Sequence, residues 1–428
     1  MIILPIMNNP FTRSPEYPFN LTQPPVVKDR YWVHILLFVL ALLTTTLAGA
    51  ELITGRTFEQ LSFWEDFYKG LPFSLSFLWF LTFHEFGHYF TAVYHGVRCS
   101  LPYYIPIYLP FSIFNIGSMG AVIRMRETPG TTRKYFDIGI AGPLAGFVVA
   151  LFLLWYGFAF MPGPEYLYEI HPEYHNWFGG HMPSDAELQD AMKGSGAISI
   201  ELGNSLIFQL FQYWFADPAK MPGAMEMYHY PFLFVGYLTL FFTALNLLPI
   251  GQLDGGHVTY GLFGRKIAGI ISRITVLFLV GYGGLGFVDF ADDYYLVYLA
   301  LYALYVFYVM TKILGNARTI EALAAASGLL LLQFLIEKFV GFRDGGTLWL
   351  MYSFIAVRLI GLDHPPARVE QKLNPGRVAL GILALIIFIL CFTPDPLKMV
   401  VIEPALPYAP QSPEDPEEIV VSIWRILS

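Results

Sequence analysis

Residues 77–96 read FLWFLTFHEFGHYFTAVYHG, an oily helical stretch that takes up His84, Glu85 and His88 at one point. About 20 apolar residues at 1.5 Å each cross a bilayer core of about 30 Å, and this stretch has that length. The rest of the 428-residue chain agrees: 55% of residues are hydrophobic, 17% aromatic and only 14% charged. Soluble domains carry about 25% charged residues, so the shortfall places the chain in lipid. The sequence therefore specifies an all-α polytopic membrane protein with the bilayer as its partner. An ionisable Asp, Lys or Arg at the centre of a span costs about 2.5–3.5 kcal/mol on insertion scales, so intramembrane titratable groups are functional by default.

Working outward, apolar runs predict about nine transmembrane helices (eight to ten), at 32–51, 72–94, 136–160, 229–250, 268–288, 293–314, 319–340, 346–361 and 378–394. With the loops alternating sides, most of the 25 basic residues fall on one side, which the positive-inside rule makes cytoplasmic. The acidic residues of the 162–228 and 289–293 loops fall opposite. The predicted organisation is a flexible lead-in (1–31), an N-terminal membrane core with HEFGH (32–161), an extracytoplasmic insertion (162–228), a second core segment (229–290), additional helices (291–394) and an acidic tail (395–428). The lead-in has neither the order of a signal peptide nor a transit-like character, which predicts a bacterial cytoplasmic membrane rather than an organellar one, and the basic loops put the N-terminus and site access on the cytoplasmic side. Asn20-Leu21-Thr22 matches a glycosylation sequon that short chance matches also produce. Cys99 and Cys391 match no zinc or redox spacing, and a net charge of -8 excludes a nucleic-acid partner. Oligomeric state is left open.

In HEFGH, His84 and His88 stand at i and i+4 on one helical face with Glu85 between them. Two imidazoles so placed can hold one Zn²⁺ while the carboxylate reaches a water as general base. A third ligand must come from elsewhere. TALNLLPIGQLDGGHVTYGLFGRK, residues 243–266, offers Asp254 at a broken span end, with Pro249 interrupting the helix and Gly255-Gly256 permitting a tight turn. His257 is a weaker rival, and His95 lies beyond the site. His171, His175 and His181 in the insertion are irregularly spaced and read as solvated. Pro106, Pro110 and glycines break residues 103–126, predicting a short membrane-dipping β-hairpin. Its edge would hold an extended substrate by strand addition, with Asn115, Gly117, Ser118, Met119 and Gly120 as contact residues. Gly142 and Gly146 in AGPLAG read as helix-packing positions.

HEFGH, GSMGA (117–121), AGPLAG (141–146) and NLLPIGQLDGG, in this order, resemble the site-2 protease family of intramembrane zinc metalloproteases. HGVRCSLPYYIPIYLPFSIFNIGSMGAVIRMRE looks most like the branch containing the plant chloroplast ethylene-dependent gravitropism-deficient and yellow-green proteins. The likeness covers about 77–160 and 236–266, and the insertion shows no PDZ module. It implies one Zn²⁺ per chain on His84, His88 and Asp254, Glu85 activating water, and Asn246 binding substrate backbone or polarising the scissile carbonyl. The implied enzyme is a zinc metalloendopeptidase performing regulated intramembrane proteolysis on single-span membrane proteins. A metal-ion transporter would need polar residues lining the later spans, whose interiors are mostly aromatic and aliphatic. A catalytically silent relative would lack one of the catalytic letters, all of which are present.

Overall fold

Helix α1 (Tyr31–Thr54) ends at Gly55, whose left-handed φ of 64° breaks it. The short α2 (Phe63–Asp66) leads into α3 (Leu71–Tyr94), which carries HEFGH and has Pro72 in its first turn, where a missing N–H costs nothing. This computed structural model describes residues 30–402 except 110–114, 196–197, 291–292, 316–317 and 344. Most of the lead-in with its sequon, Pro110 of the broken segment and the tail beyond 402 lie outside the described residues.

Strands β1 (Tyr103–Pro106) and β2 (Ser118–Val122) form an antiparallel pair with Tyr103 opposite Val122, and a bulge before Pro106. β1 packs on α1 and β2 on α3, so the hairpin sits against the membrane core where the sequence placed it. Helix α4 (Thr132–Ala159) is capped by the Thr131 hydroxyl, which accepts from the Lys134 N–H, and packs along α3.

The insertion folds as four short helices, α5 (Pro164–Ile170), α6 (Tyr174–Phe178), α7 (Asp185–Ala191) and α8 (Leu206–Phe215), with β3 (Ile198–Leu202) before α8. Leu167, Tyr174, Phe178, Leu188, Met225 and Ile402 give it a small core of its own. The chain then returns through α9 (Pro231–Leu247) and α10 (Asp254–Gly283), followed by α11 (Tyr295–Leu314), α12 (Thr319–Val340), α13 (Leu348–Ile355) and α14 (Pro375–Cys391). After α14 comes β4 (Leu397–Val401), antiparallel to β3, with Glu201 opposite Lys398. Residues 397–401, expected as part of the tail, are a strand that pairs with the edge of β3.

Each of the nine expected spans coincides with a helix, but among the described residues four helices, α1, α4, α11 and α12, are long and apolar enough to cross a membrane by themselves. α9, α13 with its following turn to Ile360, and α14 are apolar but shorter. α3 has 24 residues but spends several on buried polar side chains, and α10 is interrupted at Gly264 (φ 77°) beside Arg265 and Lys266. One core joins α1, α3, α4, α9 and α14, and a second, around Trp349, Val306 and Val280, joins α10 to α13. α3, α4, α9 and the start of α10 surround the polar cluster.

Candidate metal centre

His84 and His88 follow one another by a turn on α3, and Asp254 opens α10. Their ligand atoms meet. The two Nε2 atoms lie 3.1 Å apart, and Asp254 Oδ2 is 3.4 Å from His84 Nε2 and 3.3 Å from His88 Nε2. Ligands at 2.0–2.1 Å from a tetrahedral ion are separated by roughly 3.3 Å. All three side chains are buried, with exposures of 2% or less.

The chemistry of the donors supports the same fit. His88 Nδ1 faces the Ile138 carbonyl at 2.6 Å, and a carbonyl only accepts, so the hydrogen sits on Nδ1 and the Nε2 lone pair points into the cluster. An imidazole lone pair and a buried carboxylate then face a second imidazole in a dry interior, an arrangement a cation stabilises. At the first turn of α10, Asp254 also has its charge at the positive end of that helix. Glu85, 3% exposed, lies near enough to His88 and Asp254 to feel both, and its Oε2 has no hydrogen-bond partner among the described residues. The Ile123 amide, just past β2, engages the Glu85 carboxylate. Asn246 Nδ2 reaches to 3.4 Å from His84 Nε2.

The local sequence explains how these elements come so close. A Cβ on Gly142 would fall on the His88 imidazole, and one on Gly146 would lie 2.8 Å from Phe80 and 3.3 Å from His84 Nδ1. The AGPLAG face of α4 therefore clears room for both ligand rings; the packing role expected of these glycines is packing against the metal site itself. On the other side, a Cβ on Gly255 or Gly256 would collide with the carbonyls of Leu247 and Gly251, so LDGG is what allows α9 to turn directly into α10. Pro249 has no N–H to offer the Leu245 carbonyl, and the Tyr352 hydroxyl of α13 donates to it at 3.2 Å.

His257, the rival ligand, turns its Nδ1 to His364 Nε2 at 2.6 Å and leaves the cluster. His95 bonds Asp137 at 2.8 Å, within a network closed by Arg377 at the start of α14. Three of the five hairpin residues are committed inside the protein. Asn115 donates to Glu51 at 3.1 Å and accepts from the Gly117 N–H; Gly117 presses on the Thr44–Thr45 backbone; and Ser118 donates to the Ile105 carbonyl. They shape the hairpin, whereas Met119, 70% exposed, and Gly120 face outward. In the insertion, His175 and His181 stay apart from any metal-like cluster among the described residues, but His171 does not: with Glu226 and His229 it forms a second convergent group. Sequence reasoning missed Ile138, His364, Glu226 and His229. Glu226 and His229, three residues apart before α9, carried the one signal available in the sequence.

Residues 72–282 match Peptidase family M50, a segment that runs from the start of α3 to the end of α10 and so contains both halves of the metal centre. The membrane core is similar to that family, the site-2 protease class, and its resemblance to proteins named zinc metalloproteases implies Zn²⁺ as the metal of the centre. Among individual proteins, the chain is 27% identical over 264 residues to "Probable zinc metalloprotease EGY2, chloroplastic" of Oryza sativa subsp. indica, covering 60% of this chain and 42% of that protein. It is 28% identical over 196 residues to "Probable zinc metalloprotease EGY1, chloroplastic" of Arabidopsis thaliana, covering 46% and 30%. With "Probable zinc metallopeptidase EGY3, chloroplastic" of the same plant it shares 28% over 254 residues, covering 58% and 39%. The chain thus spans less than half the length of these relatives. No solved structure matches it. The expected bacterial cytoplasmic membrane is corrected by these relatives, which are chloroplastic and point to a chloroplast membrane. A lead-in without a transit-like pattern does not tell one bilayer from another.

Proposed function

We propose that the chain is an intramembrane zinc endopeptidase that hydrolyses peptide bonds within or beside the membrane spans of single-span proteins, as in regulated intramembrane proteolysis. The observation that carries this reading is the convergence of His84, His88 and Asp254 to within 3.4 Å inside the helical core, with Glu85 adjacent. In this reading nine spans place the site toward the side bearing the basic loops, from which water enters.

His84, His88 and Asp254 hold Zn²⁺, which when bound makes water acidic enough to yield a nucleophile near neutral pH and polarises a carbonyl. Glu85 takes the proton of the attacking water and returns it to the leaving amine nitrogen. Asn246 donates from Nδ2 to the oxygen on which negative charge develops, a role for which a fixed neutral donor is well suited. A substrate helix hides its carbonyls in i to i+4 bonds, so it must unwind first. The outer edge of β2, next to α3 and ending at the Ile123 amide that engages Glu85, gives the extended segment a strand to pair with.

The test is cleavage of a single-span reporter in proteoliposomes by the wild type and by Glu85→Gln. The proposal expects cleavage only by the wild type; equal cleavage by both would remove Glu85 as the base.

A further inference from the structure

Three side chains, one at the end of α5 and two on a single 3₁₀ turn before α9, converge away from the protease site. His171 closes α5, Glu226 ends the insertion, and His229 lies in the 3₁₀ turn Met227–His229 that leads into α9. His171 Nε2 and His229 Nε2 are 3.1 Å apart, the same separation as between His84 and His88. Glu226 Oε2 lies 3.4 Å from His229 Nε2 and 3.9 Å from His171 Nε2.

Each group is held from behind. His229 Nδ1 faces the Ile53 carbonyl of α1 at 3.2 Å, and His171 Nδ1 faces the Glu173 carboxylate at 3.1 Å. Both partners only accept, so the ring hydrogens sit on Nδ1 and both Nε2 lone pairs turn inward. The Tyr174 hydroxyl donates to Glu226 Oε1 at 2.8 Å, whereas Oε2 has no hydrogen-bond partner among the described residues. Three acceptor atoms thus meet with no donor between them, two of them on side chains that are 0% (His229) and 4% (Glu226) exposed.

Buried acceptors without a donor are costly, and native proteins seldom leave them so. A single shared proton bridges one pair of these acceptors and leaves the third unmatched. A cation satisfies all three. A histidine that donates its far nitrogen to a carbonyl or carboxylate is the usual arrangement of a metal ligand.

We infer that His171, Glu226 and His229 form a second metal site, for a divalent ion of the zinc type, to which two imidazoles and a carboxylate are suited. The side chain of His171 is 23% exposed, which gives the ion a route from solvent. The bound ion ties the insertion to the end of α1, through Ile53, and to the start of α9. The site is separate from HEFGH and does not rest on the proteolytic reading.

The experiment is zinc content of the full chain in detergent, loaded with Zn²⁺ and dialysed. The wild type is expected to hold about two ions per chain, His84→Ala about one, and His171→Gln about one with reporter cleavage kept. A wild type holding one ion that His171→Gln also holds would overturn the assignment, as would two ions in both. Should His171→Gln fail to fold, Glu226→Gln, which keeps the side-chain volume and the Tyr174 contact, carries the same expectation and the same refutation.

Discussion

Replacing Gly142 by alanine is the sharpest perturbation of the metal centre that touches no ligand. In an ordinary helix the change stabilises by about 0.5–1 kcal/mol, because glycine loses more conformational freedom on folding. Here the new methyl would sit more than 1 Å inside the 3.4 Å at which ordinary contact with His88 begins, and the obstructing atoms belong to a ring held by the Ile138 carbonyl rather than to a flexible chain end. Either α4 or the imidazole must move by about 1 Å, whereas a metal–ligand distance tolerates about 0.2 Å. A displacement of that size at a reacting centre costs about 10²-fold in rate. Gly142→Ala is therefore expected to lose the zinc held by HEFGH and at least 10²-fold of reporter cleavage. Gly328→Ala in α12 is the matched control: nothing lies within 4 Å of its Cβ position, so it should keep zinc and activity. The assay is zinc content beside initial rate in the same detergent preparation. Full zinc and full rate in Gly142→Ala would refute the claim that α4 sets the position of His88.

Two further outcomes follow from named contacts. Asn246→Ala should keep its zinc and lose about 10²–10³-fold in kcat, the usual loss for one donor to a developing oxyanion; a loss of zinc instead would make Asn246 a positioning residue for His84, measured by metal analysis with steady-state kinetics. At the end of α2, burial pushes the Asp66 carboxyl up, but the Lys69 ammonium, the Ser62 amide and the Arg56 guanidinium outweigh it and hold the group below its ordinary range. A depressed carboxylate stabilises above its unfolded pKa and loses that contribution as pH falls through the folded one. Asp66→Asn should thus lower Tm at pH 7, with the gap narrowing only as pH falls below about 4 toward the depressed folded-state pKa, read by thermal unfolding across pH; a constant gap would show that the charge is not the cause.

The sequence made half of the site readable, for a physical reason. HEFGH and LDGG are local: ligand spacing on one helix and a Pro/Gly-broken turn are set by neighbouring residues, and both turned out to lie in one cluster. What depends on how distant elements face each other was not readable. Gly142 could be recognised as a small residue, but not as the one under His88, because no single sequence says which face α4 turns to α3. His171 looked solvated because its partners Glu226 and His229 are more than 50 residues away along the chain. β4 was hidden because five residues without their partner strand look like tail. Asn115, Gly117 and Ser118 were placed on the correct hairpin, but their side chains and backbone are used to build it. The count of spans was uncertain for a related reason: α3 and α10 trade apolarity for the polar groups that make the site.

The central claim is that a zinc ion held by His84, His88 and Asp254 and a base at Glu85 cleave peptide bonds inside the membrane core. Measuring zinc content and single-span reporter cleavage on one proteoliposome sample of Glu85→Gln tests it most directly, since glutamine keeps the shape and removes only the base. The account predicts wild-type zinc content with cleavage abolished. Cleavage retained at the wild-type rate with zinc in place would contradict it.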